Sequence, residues 1–421
     1  MRSTVLGLLL VSCALLVVVL AAMATSATVR LVVVMLFGLF FLQTSGGVGT
    51  LKLIFMGLLI YAWMLSLLDS RRADSAVRPD VEEPIDKKLY GFLVVAGFLF
   101  LTSVVADSSA TTDWMDVARG SVPFVMALLL PLVGASAGAS LSVLGSLWVA
   151  YIVGLGAAIA FFVDWTARRG VSVLAIDRLA ASSLLLPGLG LSVSLVFLFH
   201  YGPRLRAVGI VGAVAIPALM LATGTRTNLL LFVVPVFMLL WDRSVPVVRR
   251  LIFAVMYPLI LFLSLLLFSR LLVSDSEFLL ARVSMLWSSF GQGDQSFSER
   301  SDATANALAV FKQSPVFGEG VNYAPRDLPA FDTPLATLAR LGIVGFVALI
   351  IVFVGLILLA LRSRSSSSWR SSPLLLASWL LFVACTAFLG SPVDDRGFAF
   401  SVAMLVAIAV AEENRELCPL A

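Results

Sequence analysis

Runs of about 20 apolar residues recur from one end of this chain to the other. A run of that length spans the roughly 30 Å hydrocarbon core of a bilayer as one helix. Hydrophobic residues make up 60% of the chain and charged residues 13%, and the mean hydropathy is +1.04. A water-soluble globule of this composition would leave large apolar patches in water. The pattern therefore predicts an integral membrane protein that crosses the bilayer many times.

The apolar runs predict about 13 membrane helices, with boundaries uncertain by a few residues. They lie at residues 4–24, 29–43, 50–68, 89–106, 119–136, 143–163, 185–200, 207–222, 227–241, 251–272, 335–361, 373–390 and 396–411. The first run leads directly into the second without a small-residue cleavage site, so we expect a retained helix. The predicted fold is an all-α, polytopic helix bundle of about 12–14 helices that forms a single membrane domain over residues 1–421.

Lysine and arginine collect in four of the connections, near residues 71–88, 204–206, 243–250 and 362–370. Cationic residues in short loops favour the cytoplasmic side. The break at 223–227, the loops at 107–120 and 164–183, and a long polar segment at 274–333 then face the exterior. A cytoplasmic C-terminus with 13 helices places the N-terminus outside, an orientation that one miscounted helix would reverse.

The segment 274–333 is far longer than the usual connection between helices, and such loops are commonly functional or disordered. Residues 278–287 have apolar side chains at helical spacing and predict an amphipathic helix at the membrane surface. Residues 303–313 predict a second short helix, with Ser301 or Asp302 as its N-cap and Pro315 as its stop. The loop is expected to cover the helix bundle as a lid.

Arginines and a surplus of carboxylates share this loop, among them Arg282, Arg300, Glu299, Glu319 and Asp332. The combination suits a site that needs a base and cationic clamps. A solvated loop with local ion pairs would show the same composition.

Four short motifs follow one another from residue 223 to residue 345. They are a T-G-T-R break at 223–226, the loop arginine Arg300, a P-x-x-G-x-G turn at 315–320, and a G-I-x-G helix start at 342–345. In this order and spacing they resemble the C-terminal signature of the O-antigen polymerase and O-antigen ligase superfamily. The resemblance covers roughly residues 220 to 360, and the N-terminal half matches in hydropathy alone. It implies a GT-C-like membrane glycosyltransferase of the bacterial inner membrane, with its active site facing the periplasm.

One departure from the family pattern separates the two activities. The ligases typically carry a His-Asn pair eleven and ten residues before the helix-start glycine, and counting back from Gly342 gives Phe331 and Asp332. His200 is the chain's one histidine, at the predicted cytoplasmic end of a helix. The resemblance therefore favours the polymerase over the ligase.

A polymerase of this kind transfers a growing glycan from polyprenyl diphosphate to a lipid-linked repeat unit, so donor, acceptor and bilayer are the expected partners. Arginine suits the diphosphate, because its planar fork stays charged and binds phosphate oxygens bidentately. The candidate substrate-binding residues are Arg226, Arg300, Arg178, Arg282, Thr225, Gly318 and Gly320. Arg226 would also gain from the positive end of a helix dipole, or could simply be an interfacial arginine that reaches water.

Three carboxylates are candidates for the base that deprotonates the acceptor hydroxyl: Asp332 first, then Glu319 and Glu299. An N-cap for the next helix is an equally good interpretation of Asp332. No metal or other cofactor is expected, because arginines can neutralise the diphosphate. A chain-length regulator is a further expected partner, whereas the net charge of +4 does not indicate nucleic acid. The alternatives are an O-antigen ligase acting on lipid A core and a flippase for lipid-linked oligosaccharides.

Overall fold

The computed structural model describes residues 31, 57–62, 64–65, 85–107, 114–168, 185–222, 234, 239, 245–272, 295–320, 335–364 and 397–417. Every regular element in these ranges is a helix. The helices are α1 (Ile85–Asp107), α2 (Trp114–Ser140), α3 (Val143–Arg168), α4 (Leu185–His200), α5 (Pro203–Ala222), α6 (Val247–Leu272), α7 (Gln295–Gln313), α8 (Ala336–Arg364) and α9 (Phe398–Leu417). Residues 57–62 and 64–65 are also helical.

The all-α membrane fold predicted from the apolar runs is confirmed. Among the described helices, three segments are long and apolar enough to cross a bilayer: Ser121–Ser140, Val143–Phe162 and Pro203–Leu221. Shorter apolar helical segments are Gly91–Val105, Leu185–His200, Ala336–Val352 and Phe398–Glu412. The predicted spans at 4–24 and 373–390, and nearly all of 29–43 and 227–241, lie outside the described residues, so the total of about 13 helices stays a prediction.

Small residues bring α2 and α9 into close contact. A Cβ added to Gly134 would lie 2.2 Å from the carbonyl oxygen of Ala403, and one added to Gly138 would lie 2.4 Å from that of Ala407. Gly134 and Gly138 are four residues apart in α2, as are Ala403 and Ala407 in α9. Each helix therefore places its two small residues on one face, so the two backbones come into direct contact. Because the contacts advance together along both helices, α2 and α9 run parallel. Nearer the start of α2, the ring of Phe124 stacks on a phenylalanine ring of α1, with 5.3 Å between the ring centroids.

Helix α4 lies at the centre of a second group, since every residue from 185 to 197 is buried. It runs antiparallel to α3, with Gly190 against Gly154 and Phe197 against Trp148 nearer the other end. It also runs antiparallel to α5, where Gly209 approaches the backbone of residues 194 and 198. Phe253, near the start of α6, packs 5.4 Å from the aromatic ring of residue 199 at the end of α4.

Helices α1 and α8 are antiparallel: Ser103 meets Leu341 near one end, and Phe92 lies against Gly355 near the other. Together with the other pairings, this fixes which helix ends lie on the same side. Helices α1, α3, α5 and α6 finish, and α2, α4, α8 and α9 begin, at one end of the bundle, which we call the loop end. The segments predicted to be exterior all leave or enter helices at the loop end. The cationic connections are at the opposite end.

One prediction about an individual helix is wrong. The second loop helix was expected to begin after Ser301 or Asp302, but α7 begins at Gln295 and includes both. No glycine or proline occurs from 295 to 313, so nothing in the sequence ends the helix earlier. The span expected at 335–361 corresponds to α8, whose backbone is non-helical at Gly342.

Candidate functional site

The break in α8 divides the helix into a short first part and a long second part. Gly342 adopts φ 63° and ψ −166°, a conformation that is essentially restricted to glycine. Such a break interrupts the hydrogen-bond ladder, so carbonyl groups before it and N–H groups after it need other partners. Buried groups left without partners would each cost about 1–3 kcal/mol.

The turn at 314–320, which follows α7, supplies those partners. The amides of Glu319 and Gly320 donate to the carbonyl oxygens of residues 339 and 340, both at 3.0 Å. In the other direction, the amides of Ile343 and Val344 donate to the carbonyl oxygens of residues 315 and 316, at 2.9 and 3.1 Å. The P-x-x-G-x-G segment therefore joins both sides of the break through the backbone.

This docking requires glycine on both surfaces. Gly318 has φ 80° and Gly342 has φ 63°. A Cβ at Gly318 would lie 2.3 Å from the carbonyl oxygen of Arg340, and a Cβ at Gly342 would lie 2.4 Å from that of Val316. Both contacts are with backbone, which cannot rotate away as a flexible side chain can. The spacing of the motif glycines is therefore explained by direct contact between two backbones.

Helix α1 holds the turn and the break together from the side. The Ser103 hydroxyl is 1% exposed and donates to the carbonyl oxygen of Leu341 at 2.8 Å, with that of Phe317 also within 3.2 Å. One carbonyl belongs to the short part of α8 and the other to the turn. A single buried hydroxyl thus links three separate segments of the chain.

The turn is held against α8 on its α7 side by a small apolar cluster. Ala307 and Val310 of α7 pack on Ala336 and Ala339 of α8, with Leu335 partly buried beside them. Asp302 and Lys312 of α7 are exposed, as is Leu308. Helix α7, the turn and the short part of α8 therefore form one packed unit at the loop end.

Glu319 is the one candidate carboxylate whose surroundings the structure describes. It is partly exposed, and its Oε1 accepts a hydrogen bond from the Ser314 hydroxyl within the same turn. Its backbone amide is bound to α8. Glu319 therefore lies at the site. One of its carboxylate oxygens, however, accepts a hydrogen bond that holds the turn in its conformation.

The other predicted residues relate to this site as follows. Gly318 and Gly320 are in the turn, and Glu299 and Arg300 lie within α7. Asp332, Arg226, Thr225, Arg178 and Arg282 lie outside the described residues, as does the predicted amphipathic helix at 278–287. The chain leaves α5 at Ala222 at the loop end, the same end as the turn. The segment that carries Thr225 and Arg226 therefore starts on the same side of the bundle.

His200 lies at the opposite end. It is the last residue of α4, a helix of 16 residues whose first residue is at the loop end, and such a helix is about 24 Å long. The chain has one histidine. A reaction at the loop end therefore has no histidine of this chain available to it.

Sequence reasoning missed Ser103 and Arg340. Ser103 is an isolated serine within an apolar run, and no local pattern shows that it meets residues more than 200 positions away. Arg340 is partly buried in the last turn before the break, where its carbonyl receives the amide of Gly320. An arginine two residues before a helix-start glycine, inside an apolar run, could have been noticed because a charge there is costly.

Comparison with known families gives one match. Residues 211–334 match a family model described as O-antigen ligase. The match confirms the resemblance to the O-antigen polymerase and ligase superfamily over this segment, which extends from α5 through the turn to the residues before α8. A search of curated proteins found no match to the chain. The match accordingly supports a membrane protein of the O-antigen polymerase/ligase type.

Proposed function

We propose that this protein is a glycan polymerase that works on the periplasmic face of the bacterial inner membrane. It would transfer a growing glycan from polyprenyl diphosphate to the sugar hydroxyl of a lipid-linked repeat unit. The bond between the anomeric carbon and the diphosphate oxygen breaks, a bond to the acceptor oxygen forms, and the acceptor proton passes to a base. The diphosphate leaves with its lipid.

The position of His200 is the observation that favours a polymerase over a ligase. The ligase pattern places a histidine before the helix-start glycine, where this chain has Phe331 and Asp332. The chain's one histidine is at the far end of α4, about 24 Å from the loop end. An aspartate is available where the pattern needs a base, and Asp332 is our first candidate.

Arginines are proposed to hold the diphosphate. Arg226 would follow α5 at the loop end, and Arg300 lies within α7, which packs beside the break. Charge-assisted hydrogen bonds from guanidinium groups to phosphate oxygens are about twice as strong as neutral ones. They would stabilise the leaving diphosphate without a metal ion. Arg178 and Arg282 are further candidates on predicted exterior segments.

The test is complementation of a strain that lacks the gene. Arg226→Ala and Arg300→Ala are compared with Arg206→Ala, an exposed arginine at the opposite end of the bundle, at matched protein levels. We expect the first two variants to leave lipid A core capped with single repeats, while Arg206→Ala restores the full ladder. Long-chain ladders from both loop-end variants would refute the arginine assignment.

The same strain separates the alternatives. Loss of a ligase removes glycan from lipid A core altogether, and loss of a flippase traps the donor on the inner face of the membrane. Single capping repeats in the deletion strain are the result that the polymerase requires. Either other outcome would overturn the proposed reaction.

A further inference from the structure

The turn between α7 and α8 exposes apolar side chains. Val316 is 51% exposed and Phe317 is 41% exposed, and Pro315 beside them is exposed as well. On α7, Leu308 is 42% exposed. Exposed apolar residues in contact with one another commonly mark an interaction surface. We call Pro315, Val316 and Phe317 the apolar turn.

The second part of α8 fixes where the apolar turn lies along the bundle. The amides of Ile343 and Val344 bind the turn, so the turn is level with the start of this part. The sequence from 343 to 361 is free of charged residues, and as a helix it measures about 28 Å, close to the roughly 30 Å of the hydrocarbon core. The turn is therefore at the outer edge of that core.

An exposed apolar stripe continues down α8 from this point. It consists of residues 343, 347, 350 and 354, which are 48%, 37%, 43% and 41% exposed. Their spacing places them on one face of the helix. In a membrane protein such a face contacts lipid, and the apolar turn lies at its upper end.

Helix α1 gives an independent measure of the same level. Ser103 meets the turn through the carbonyl oxygen of Phe317. The exposed apolar face of α1 continues past Ser103 to Val105, which is 64% exposed. Two residues of helix are about 3 Å, so the lipid-facing surface of α1 extends slightly farther out than the turn.

We propose that the apolar turn inserts into the outer boundary of the bilayer and contacts lipid, which fixes the depth of the exterior loop. Both neighbouring helices keep apolar faces at this level. The partner is the lipid surface itself. Residues 318–320, bound to the same helix break, then lie level with the lipid headgroups. For the proposed function, on which this last step rests, that is the depth of a polyprenyl diphosphate.

Depth can be measured with spin labels on the full-length protein in lipid nanodiscs. Cys13, Cys385 and Cys418 are first replaced by serine, and a single cysteine is then introduced at position 317. Lys312→Cys, at an exposed charged position of α7, is the aqueous control. Val354→Cys, on the exposed stripe of α8, is the deep control. Power saturation compares collision with oxygen, which is concentrated in lipid, against collision with a water-soluble nickel chelate.

We expect the Phe317→Cys label to collide less with the nickel chelate and more with oxygen than the Lys312→Cys label does. Its depth should be between those of the two controls. A label at 317 as accessible to the chelate as the one at 312 would overturn the proposal. If Phe317→Cys does not elute as a monodisperse protein, Val316→Cys carries the same test.

A repeat with added polyprenyl diphosphate separates bulk lipid from the tail of the donor. The proposal requires the same depth with and without this additive. Shielding that develops only when polyprenyl diphosphate is present would assign the surface to the substrate tail and refute a lipid anchor. The measurement uses no enzymatic activity, so a failed polymerase assignment leaves its outcome unaffected.

Discussion

Replacement of Gly342 by alanine tests whether the helix break and the turn depend on each other. The φ of 63° and ψ of −166° at this position are costly for any residue with a Cβ, by about 1–3 kcal/mol. The added Cβ would also lie 2.4 Å from the carbonyl oxygen of Val316 and 2.6 Å from the amide nitrogen of Gly318. Both are backbone atoms, so the turn has to move.

Displacement of the turn first breaks the two hydrogen bonds from the amides of Ile343 and Val344. Each contributes about 0.5–1.5 kcal/mol. Together with the backbone strain, the expected loss in the free energy of opening the turn is about 2–6 kcal/mol. Since about 1.4 kcal/mol corresponds to a factor of ten, amide protection should fall by roughly one and a half to four orders of magnitude.

Hydrogen exchange read by mass spectrometry measures this directly. The informative peptides cover residues 314–320 and 339–346, and the protein is held in nanodiscs. Gly156→Ala is the matched control, because nothing lies within 4 Å of a Cβ at that position and alanine is favoured over glycine within a helix by about 1 kcal/mol. Unchanged exchange of both peptides in Gly342→Ala would show that the turn does not depend on this glycine.

Three further predictions concern contacts around the site and within the bundle. Ser103→Ala should increase exchange in the turn by about fivefold, because a buried hydrogen bond of about 1 kcal/mol is lost; equal exchange would assign Ser103 no role there. Gly138→Val should lower the melting temperature measured by size exclusion after heating, because its side chain would meet the backbone of Ala407; a melting temperature matching that of the parent protein would contradict close α2–α9 packing. Asp332→Asn should abolish polymer while Glu319→Gln, which keeps an acceptor for the neighbouring serine, retains most of it; the reverse result would make Glu319 the base.

The helix boundaries could be predicted well because they follow from local composition. The expected run at 185–200 coincides with α4, and those at 143–163 and 251–272 differ from α3 and α6 by no more than five residues at either end. Apolar length sets these segments, and each is decided by residues adjacent in the sequence. The end of α7 before Pro315 follows in the same way from a local stop signal.

The break in α8 could not be predicted in the same way. The resemblance places a helix start at Gly342, but the run around it predicts a single membrane span, and glycine alone is tolerated in membrane helices. The break is stable because a turn more than 20 residues earlier bonds to it, and because Ser103 joins both from a distant helix. These are long-range contacts that no local pattern reports. The spacing of Gly318 and Gly342 could be seen in the sequence. The reason for it, the close approach of the turn backbone to the backbone of α8, could not.

The backbone hydrogen bonds of the turn limit the ability of its glycine amides to bind an anion. Amides of glycine-rich turns often bind phosphate, and Gly318 and Gly320 were predicted to contact the substrate. In this turn the amide of Gly318 donates to the carbonyl oxygen of Ser314, and those of Glu319 and Gly320 donate to α8. An anion would have to displace these bonds to use the same amides. Anion binding by these three amides is therefore disfavoured, which supports side chains, the proposed arginines among them, as the groups that hold the diphosphate.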